Sequence, residues 1–249
     1  TPQRMSSTPS GPLTDLLTSR AASSNLDGSL MRGCLVWWLG CILLALAGSA
    51  GAAVPSPATT SRTVLVLGDS LSAAHNIPLA SGWVHLLDVR LGKMVPERRV
   101  VNASISGETS LSGRNRLPTL LEQYHPAVLV LELGANDGLR GLPLDRLRDN
   151  LAAMLDMAQQ AHVRVLLVGI ELPVNYGPQY RDGLRAVYAD LARQRHVALV
   201  PFLLDGIAQD PALMQEDGLH PTAAAQGQVL GVVWPHLQPL LQQKPADSR

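Results

Sequence analysis

One segment of the chain changes abruptly from apolar to polar residues: Thr63-Val64-Leu65-Val66-Leu67-Gly68-Asp69-Ser70-Leu71-Ser72. Five consecutive β-favouring or aliphatic residues without alternation are typical of a parallel strand that is covered on both faces. Gly68 permits a sharp exit from that strand, because glycine tolerates backbone conformations that other residues avoid. The segment therefore predicts a buried strand that delivers Ser70, a candidate nucleophile, to the edge of a sheet. The alternative is that Asp69 and Ser70 only cap the following helix.

The composition limits the kinds of protein to which this strand can belong. The chain has 249 residues, of which 46% are hydrophobic and only 4% are aromatic, so its core must be mostly Leu, Val and Ala. Lys and Arg together number 20, as do Asp and Glu, and the formal net charge is +0. Because nucleic acids and anionic membranes are bound by basic surfaces, we expect no nucleic-acid partner.

The N-terminal part of the chain has the pattern of an export signal. Residues 1–30 are rich in Ser, Thr, Gly and Pro, and we expect a disordered extension there. Within residues 31–53, Met31 as a possible translation start and the positively charged Arg32 precede a short apolar core at 34–47. Small residues at cleavage spacing follow at 50–52, and this order is typical of a secretory signal peptide. Residues 54–61 are rich in Pro, Ser, Ala and Thr, and we interpret them as a linker. An uncleaved anchor is the alternative, although the apolar core falls short of the about 20 residues that span a membrane.

Cleavage near Ala52 or Ala53 would leave a protein without cysteine. The chain's two cysteines, Cys34 and Cys41, both lie within residues 31–53. The mature protein would therefore have no disulfide and no cysteine chemistry. We expect it to be periplasmic or secreted, with no stable membrane insertion after cleavage.

From residue 62 onward, apolar runs alternate with helical patterns. We interpret residues 62–242 as one domain and residues 243–249 as a tail. The predicted strands are 64–67, 99–102, 128–133, 165–170 and 197–200. The predicted helices are 83–91, 117–123, 144–160 and 180–195, with a last helix from about Thr222 toward Trp234. This alternation indicates an α/β fold with a parallel sheet, right-handed crossovers and helices on both faces.

Polar and glycine residues are concentrated in the loops that follow the predicted strands. Open parallel sheets bind ligands beyond the carboxyl ends of their strands, so these loops should carry the chemistry. They are Gly68-Asp69-Ser70 after the first strand, residues 102–109 after the second, residues 134–138 after the third, and residues 217–221 downstream of the fifth.

Of the seven histidines, His220 is the best candidate for the base that a serine nucleophile needs. It lies at the expected edge and has a carboxylate, Asp217, three residues earlier. In a tight loop that spacing lets Asp217 reach one ring nitrogen while the other faces the serine. The alternative is a solvated acid and histidine at a helix start. The others precede strands (His125, His162, His196), lie in a helix or near the terminus (His85, His236), or have no acid nearby in sequence (His75).

Taken together, the loop motifs resemble the four motif blocks of the SGNH, or GDSL, hydrolases. The matching blocks are Gly68-Asp69-Ser70-Leu71-Ser72, Gly107 within residues 102–110, Gly134-Ala135-Asn136-Asp137, and Asp217-Gly218-Leu219-His220-Pro221. The similarity runs from residue 63 to about residue 240. It is nearest to the bacterial thioesterase I / protease I / lysophospholipase and arylesterase subgroup.

The resemblance implies a flavodoxin-like, three-layer α/β/α fold with a five-stranded parallel sheet. It assigns Ser70 as nucleophile, His220 as base and Asp217 as the acid that orients the base. It also places the N–H groups of Gly107 and Ser70 and the side-chain amide of Asn136 in an oxyanion hole. Ordinary turn chemistry is the alternative for Gly107 and Asn136.

Two further acids, Asp69 and Asp137, and the residues that follow Ser70 also bear on the roles and the fold that the resemblance implies. Asp69 and Asp137 are expected to have structural or loop-ordering roles. Leu71-Ser72 follows the serine where the general esterase elbow Gly-x-Ser-x-Gly would need a glycine, so we do not infer an α/β-hydrolase fold.

The expected reaction is acyl transfer to water through an acyl-enzyme on Ser70. The expected substrate is a small-molecule acyl ester or thioester, as for a lysophospholipase, arylesterase or acyl thioesterase. Four rim residues either form an acyl groove or simply pack against helices: Leu139, Leu142, Leu172 and Pro173. We expect a monomer with no cofactor and no metal requirement, since the sequence shows no His/Cys ligand cluster.

Two other functions remain open. A carbohydrate or peptidoglycan O-acetylesterase would use the same triad on acetylated glycans. A non-catalytic flavodoxin-like binding module would bind a flavin or nucleotide without hydrolysis. The sequence has neither Gly-x-Gly-x-x-Gly nor a P-loop, which weighs against the binding module.

Overall fold

A computed structural model describes residues 62–243 of the chain. The expected extension at 1–30, signal peptide at 31–53 and linker at 54–61 lie outside the described residues, as does the tail from residue 244. Within the described part, no helix has the length and apolar character needed to cross a membrane.

The described residues contain a sheet of five strands: β1 (Thr63–Gly68), β2 (Arg99–Asn102), β3 (Val128–Glu132), β4 (Arg164–Val168) and β5 (Ala198–Val200). Their order is β2-β1-β3-β4-β5, and every neighbouring pair is parallel. In β1, Val64 and Val66 face one core while Leu65 and Leu67 face the other. Because both faces are covered, β1 carries an unbroken apolar run. The predicted α/β class and flavodoxin-like sheet are confirmed.

Helices cover both faces of this sheet: α1 (Trp83–Met94), α2 (Ser110–Tyr124), α3 (Ala135–Leu139), α4 (Leu144–Gln160), α5 (Pro178–Arg195) and α6 (Gln226–Gln242). Residues of α1 and α6 pack on one face, and those of α2, α4 and α5 on the other. The prediction of a helix at 144–160 is confirmed at both ends. Its buried residues keep helical spacing, so α4 is a helix with one apolar face.

The prediction for α2 was wrong at its start. The helix begins at Ser110 instead of residue 117, and the Thr109 side chain caps it by accepting a hydrogen bond from the Ser112 N–H at 3.4 Å. Its first half is mostly polar and so gives no apolar periodicity. Gly113 nevertheless packs closely on Leu133, which holds this half against the sheet.

The last helix also differs from its prediction at both ends. Residues 223–225 form a 3₁₀ turn, and α6 continues beyond Trp234 to Gln242 with Pro235 and Pro239 inside it. Each proline removes a helix hydrogen bond and would ordinarily end or bend a helix. Leu237 and Leu241, however, are buried in the core beneath α6, and this burial stabilises the second half of the helix.

The sheet topology places one crevice between the loops after β1 and β3. The chain passes from β1 to β2 on one side and returns to β3 on the other, so the connections diverge at this point. Parallel α/β sheets bind ligands at such switch points. The segment after β3, expected to be a loop, forms the short helix α3, which begins after Gly134 at φ 125°.

Candidate active site

Ser70 and His220 lie far apart in sequence but meet at the carboxyl edge of the sheet. His220 Nε2 is 2.8 Å from Ser70 Oγ, and His220 Nδ1 is 2.7 Å from Asp217 Oδ2. A neutral imidazole with its proton on Nδ1 donates to Asp217 and leaves Nε2 free to accept the serine hydroxyl proton. The three side chains therefore form one continuous hydrogen-bonded chain.

The tight loop around Asp217 fixes this carboxylate. Its Oδ1 accepts the N–H groups of Leu219 at 2.9 Å and of His220 at 3.0 Å. Partial burial raises the pKa of Asp217, but the hydrogen bonds from Leu219 and from the ring and N–H of His220 outweigh it and lower that pKa to about 2. Asp217 is therefore ionised at neutral pH and holds the orientation of the imidazole.

Gln215, which the sequence analysis did not identify, braces the loop that carries His220. Its N–H donates to the His220 carbonyl at 2.8 Å, while its Nε2 donates to the carbonyls of His75 and Pro221, each at 3.0 Å. The side chain therefore joins the loop after β1 to the loop before α6. No sequence pattern marks this glutamine, because its partners are set by the tertiary fold.

His75 lies next to His220, with ring centroids 4.4 Å apart and planes inclined by 40°. Its Nδ1 is 3.5 Å from Ser106 Oγ. Along the sequence, His75 has no acid nearby. In the fold, one potential ligand atom from each of His75, Asp217 and His220 lies within 4.8 Å of the others.

The cavity beside Ser70 is not lined by the other five histidines, which are His85, His125, His162, His196 and His236. His125 and His196 terminate α2 and α5 in left-handed conformations, with φ 40° and 52°, and each directly precedes a strand region. His85 lies in α1 as predicted, whereas His236 lies inside the extended α6.

Asn136 on α3 directs its amide to the same crevice. Nδ2 donates to Asp69 Oδ2 at 3.2 Å and to the Glu108 carbonyl at 3.0 Å. Because both partners can only accept, they determine which end of the amide carries the hydrogens. Asn136, Ser70 and His220 line the same cavity.

Two buried acids support the loop beneath Ser70. Asp69 and Glu132 are both 0% exposed. Glu132 Oε2 accepts the Asp69 N–H at 3.2 Å and the Ser72 hydroxyl at 2.8 Å. Burial, followed by the charge of Asp69, raises the pKa of Glu132 well above its ordinary value. In the sequence, Glu132 is marked only as an acid within the otherwise apolar run at 128–133.

Burial also raises the pKa of Asp69, to about 6, although hydrogen bonds from Leu71 and Asn136 and the charge of His220 oppose this shift. Asp69 is therefore mainly ionised at neutral pH and can hold the Asn136 amide. Asp137 accepts the N–H and hydroxyl of Ser110 at 2.8 and 2.5 Å, which ties α3 to the start of α2. These contacts support the expected structural or loop-ordering roles of Asp69 and Asp137.

Gly107 lies in a turn between β2 and α2 at φ 82°, a conformation that favours glycine. Its carbonyl accepts a hydrogen bond from Arg140 Nη2 at 3.1 Å, and the next carbonyl, of Glu108, contacts Asn136. Within residues 62–243, the N–H groups of Gly107 and Ser70 have no protein acceptor. Gly107 itself does not line the cavity.

The cavity beside Ser70 has a volume of about 350 Å³ and a largely apolar wall. Three of the four expected rim residues line it: Leu139, Leu172 and Pro173. Leu142 does not, and it is 38% exposed. Further apolar lining comes from Ile170, Phe202, Leu204 and Met214.

Comparison with known proteins identifies the family. The model of the GDSL-like Lipase/Acylhydrolase family matches residues 66–227. Esterase TesA of Pseudomonas aeruginosa is 48% identical over 202 residues, which are 81% of this chain and 96% of the relative. Thioesterase 1/protease 1/lysophospholipase L1 of Escherichia coli K12 is 40% identical over 184 residues, 74% of this chain and 87% of the relative.

The fold is also similar to that of a solved esterase structure. It is the psychrotrophic esterase EstA from Pseudoalteromonas sp., inhibited by monoethylphosphonate, and it has a TM-score of 0.69 and 38% sequence identity. The likeness covers 73% of this chain and 100% of that chain. The family match, the relatives and the shared fold lead to one conclusion: this chain belongs to the GDSL-like lipase/acylhydrolase family.

Proposed function

We propose that this protein hydrolyses the ester or thioester bonds of acyl substrates through a covalent acyl-enzyme on Ser70. Family membership makes the chain a hydrolase of the esterase class. The observation that carries the proposal is the hydrogen-bonded chain from Ser70 Oγ through His220 to Asp217. Such a chain activates a hydroxyl that is otherwise a weak nucleophile.

The reaction proceeds in two halves on the same residues. His220 Nε2 accepts the Ser70 proton as Oγ attacks the carbonyl carbon, and the ionised Asp217 stabilises the resulting imidazolium. The tetrahedral intermediate collapses, His220 returns the proton to the leaving alcohol or thiol, and the acyl group stays on Ser70. Water, activated by His220, then releases the carboxylic acid and restores the serine.

Three donors are proposed for the oxyanion: the N–H groups of Ser70 and Gly107 and the amide of Asn136. The two backbone groups have no acceptor within the described residues, so they are free to bind a developing negative charge. Asn136 Nδ2 instead contacts Asp69 and Glu108. An oxyanion would have to take the place of one of these two oxygens as the acceptor of an Nδ2 hydrogen.

The apolar wall of the cavity favours substrates with a hydrocarbon acyl chain. Leu139, Leu172 and Phe202 lie on this wall, and a fatty acyl group would bury its surface against them. We therefore place fatty acyl esters, aryl esters and lysophospholipids ahead of acetylated glycans.

A panel of substrates tests the proposed function: nitrophenyl esters of rising chain length, acyl-CoA, a lysophospholipid and an acetylated glycan. We expect hydrolysis of the acyl esters, and we expect a phosphonate ester to label Ser70 and to leave Ser72, Ser104 and Ser106 unmodified. Activity confined to the acetylated glycan would support an O-acetylesterase instead. Binding of a flavin without any hydrolysis would support the binding module.

Residues 31–53 support export of the enzyme, so we propose that the mature form is periplasmic or secreted. Mass spectrometry of protein from a bacterial host should find a new N-terminus near Ala52 or Ala53. Leu44→Arg, which interrupts the apolar core of the signal, should leave the full-length chain unprocessed. Wild-type protein that keeps residues 31–53 and fractionates with membranes would contradict the proposal.

A further inference from the structure

We propose that His75, Asp217 and His220 form a site for Zn²⁺, or for another divalent transition ion that binds imidazole, and that the bound ion inhibits the hydrolase reversibly. His75 lies far from Asp217 and His220 in sequence, and the fold brings one potential ligand atom from each of the three within 4.8 Å of the others. The inhibition depends on the function proposed above, whereas the ion binding does not.

The chemistry of the three ligands selects the class of ion. Two imidazole nitrogens and one carboxylate oxygen are typical zinc ligands, and such a set leaves a fourth tetrahedral position for water. Mg²⁺ and Ca²⁺ prefer sites made of oxygen ligands, so they should bind here weakly.

The geometry requires only a small movement of side chains. Tetrahedral zinc with bonds of about 2.1 Å holds its ligand atoms roughly 3.4 Å apart, so the most distant pair must approach by on the order of 1 Å. The His75 ring has a long 3.5 Å contact with Ser106 Oγ, which offers little resistance to rotation. The Asp217 side chain is 38% exposed and can also adjust.

The backbone around the site is already fixed. The N–H of His75 donates to the Ser70 carbonyl at 3.3 Å, and its carbonyl accepts from Gln215 Nε2 at 3.0 Å. Gln215 also holds the backbone of His220 through a 2.8 Å hydrogen bond. Because Gln215 holds the His75 backbone through its side chain and the His220 backbone through its own N–H, binding requires rotation of the rings and no rearrangement of the loops.

An ion at this site would stop catalysis through His220. Both ring nitrogens of His220 take part in the triad, at 2.8 Å from Ser70 Oγ and 2.7 Å from Asp217 Oδ2. Coordination of either nitrogen removes one of these hydrogen bonds. The enzyme would then lose either its proton acceptor or the group that orients it.

Calorimetric titration of the Ser70→Ala full chain with ZnCl₂ tests binding separately from hydrolysis. Cys34 and Cys41 are alkylated first, because thiolates bind zinc themselves. We expect one ion per chain. His75→Phe removes the ligand nitrogens and keeps a ring, and it should weaken binding by at least the about 10–100-fold that loss of an outer-shell partner causes. His85→Phe in α1 is the matched control and should bind zinc like the parent.

Inhibition is then measured in chains with an intact Ser70. Each variant is compared with its own rate in the absence of zinc, and EDTA should restore that rate. Zinc should inhibit the wild type and the His85→Phe variant at lower concentration than the His75→Phe variant, while equal Mg²⁺ should not inhibit. His75→Asn is measured in parallel, with melting temperatures, so that a folding defect in one variant is recognised. Equal zinc affinity in the parent and both folded His75 variants, or no zinc binding at all, would overturn the proposed site.

Discussion

Alanine at Ser70 or at His220 is expected to lower the turnover number of the best ester substrate by about 10⁴–10⁶-fold. Ser70→Ala removes the atom that forms the acyl-enzyme. His220→Ala removes the acceptor 2.8 Å from that atom, so the hydroxyl keeps its proton and is a poor nucleophile. The Ser70→Ala/His220→Ala double variant should be little slower than either single variant, because the two groups act as one unit. Stopped assays at high enzyme concentration would measure these residual rates.

Two controls separate this result from a general loss of structure. Ser106→Ala and His85→Ala replace the same residue types at exposed positions outside the triad, and they should keep near wild-type turnover. The two triad variants should melt close to the wild type, because Ser70 and His220 lie in loops and not in the core clusters. Losses that multiply in the double variant would contradict a shared mechanism.

The regular parts of the fold could be predicted because their signals are local. In α4 the buried residues repeat at helical spacing, and that pattern alone fixed both ends of the helix. The first half of α2 is held instead by packing between Gly113 and Leu133, the residue that follows β3. The second half of α6 is helical despite Pro235 and Pro239 for a similar reason, since tertiary burial outweighs their local cost.

The site residues divide in the same way: those with a local sequence signal could be predicted, and those that depend on tertiary contacts could not. Ser70 and Asn136 were identified because their motifs directly follow strands, where the topology of a parallel sheet places function. His220 was identified because Asp217 precedes it by three residues in a loop downstream of the last strand. Gln215 and Glu132 were missed because their importance comes from contacts with distant loops and not from any spacing. His75 was set aside because its acid, Asp217, is its neighbour only in the folded chain.

Asn136 depends on one of these residues, Glu132, for its position. Glu132 holds the N–H of Asp69, and the Asp69 carboxylate in turn accepts a hydrogen from Asn136 Nδ2. Burial raises the pKa of both carboxyl groups, that of Glu132 well above its ordinary value, which disfavours two adjacent buried charges. This arrangement orients the amide before substrate binds, which is the condition under which a hydrogen-bond donor stabilises a transition state most effectively.

Asn136→Ala should therefore lower kcat by about 10²–10³-fold, equivalent to about 2.7–4 kcal/mol, with a smaller change in KM. The reason is that an amide hydrogen binds the charged tetrahedral oxygen more strongly than the neutral carbonyl of the substrate, so its contribution appears in the transition state. Steady-state kinetics with a nitrophenyl ester and thermal melting of the same samples measure the two effects separately.

The Asn136 side chain also joins α3 to Asp69 and to the Glu108 carbonyl, so its loss has a structural component that needs a matched control. Asn150→Ala provides one, because Asn150 is a buried asparagine on α4 that donates to Ser110 Oγ at 3.0 Å and lies outside the cavity. Asn150→Ala should lower the melting temperature and leave kcat per folded molecule near that of the wild type. For Asn136→Ala we expect the opposite result: a large loss in kcat that exceeds any loss of folded protein. If Asn136→Ala instead loses activity only in proportion to its folded fraction, Asn136 holds the loop and does not bind the oxyanion.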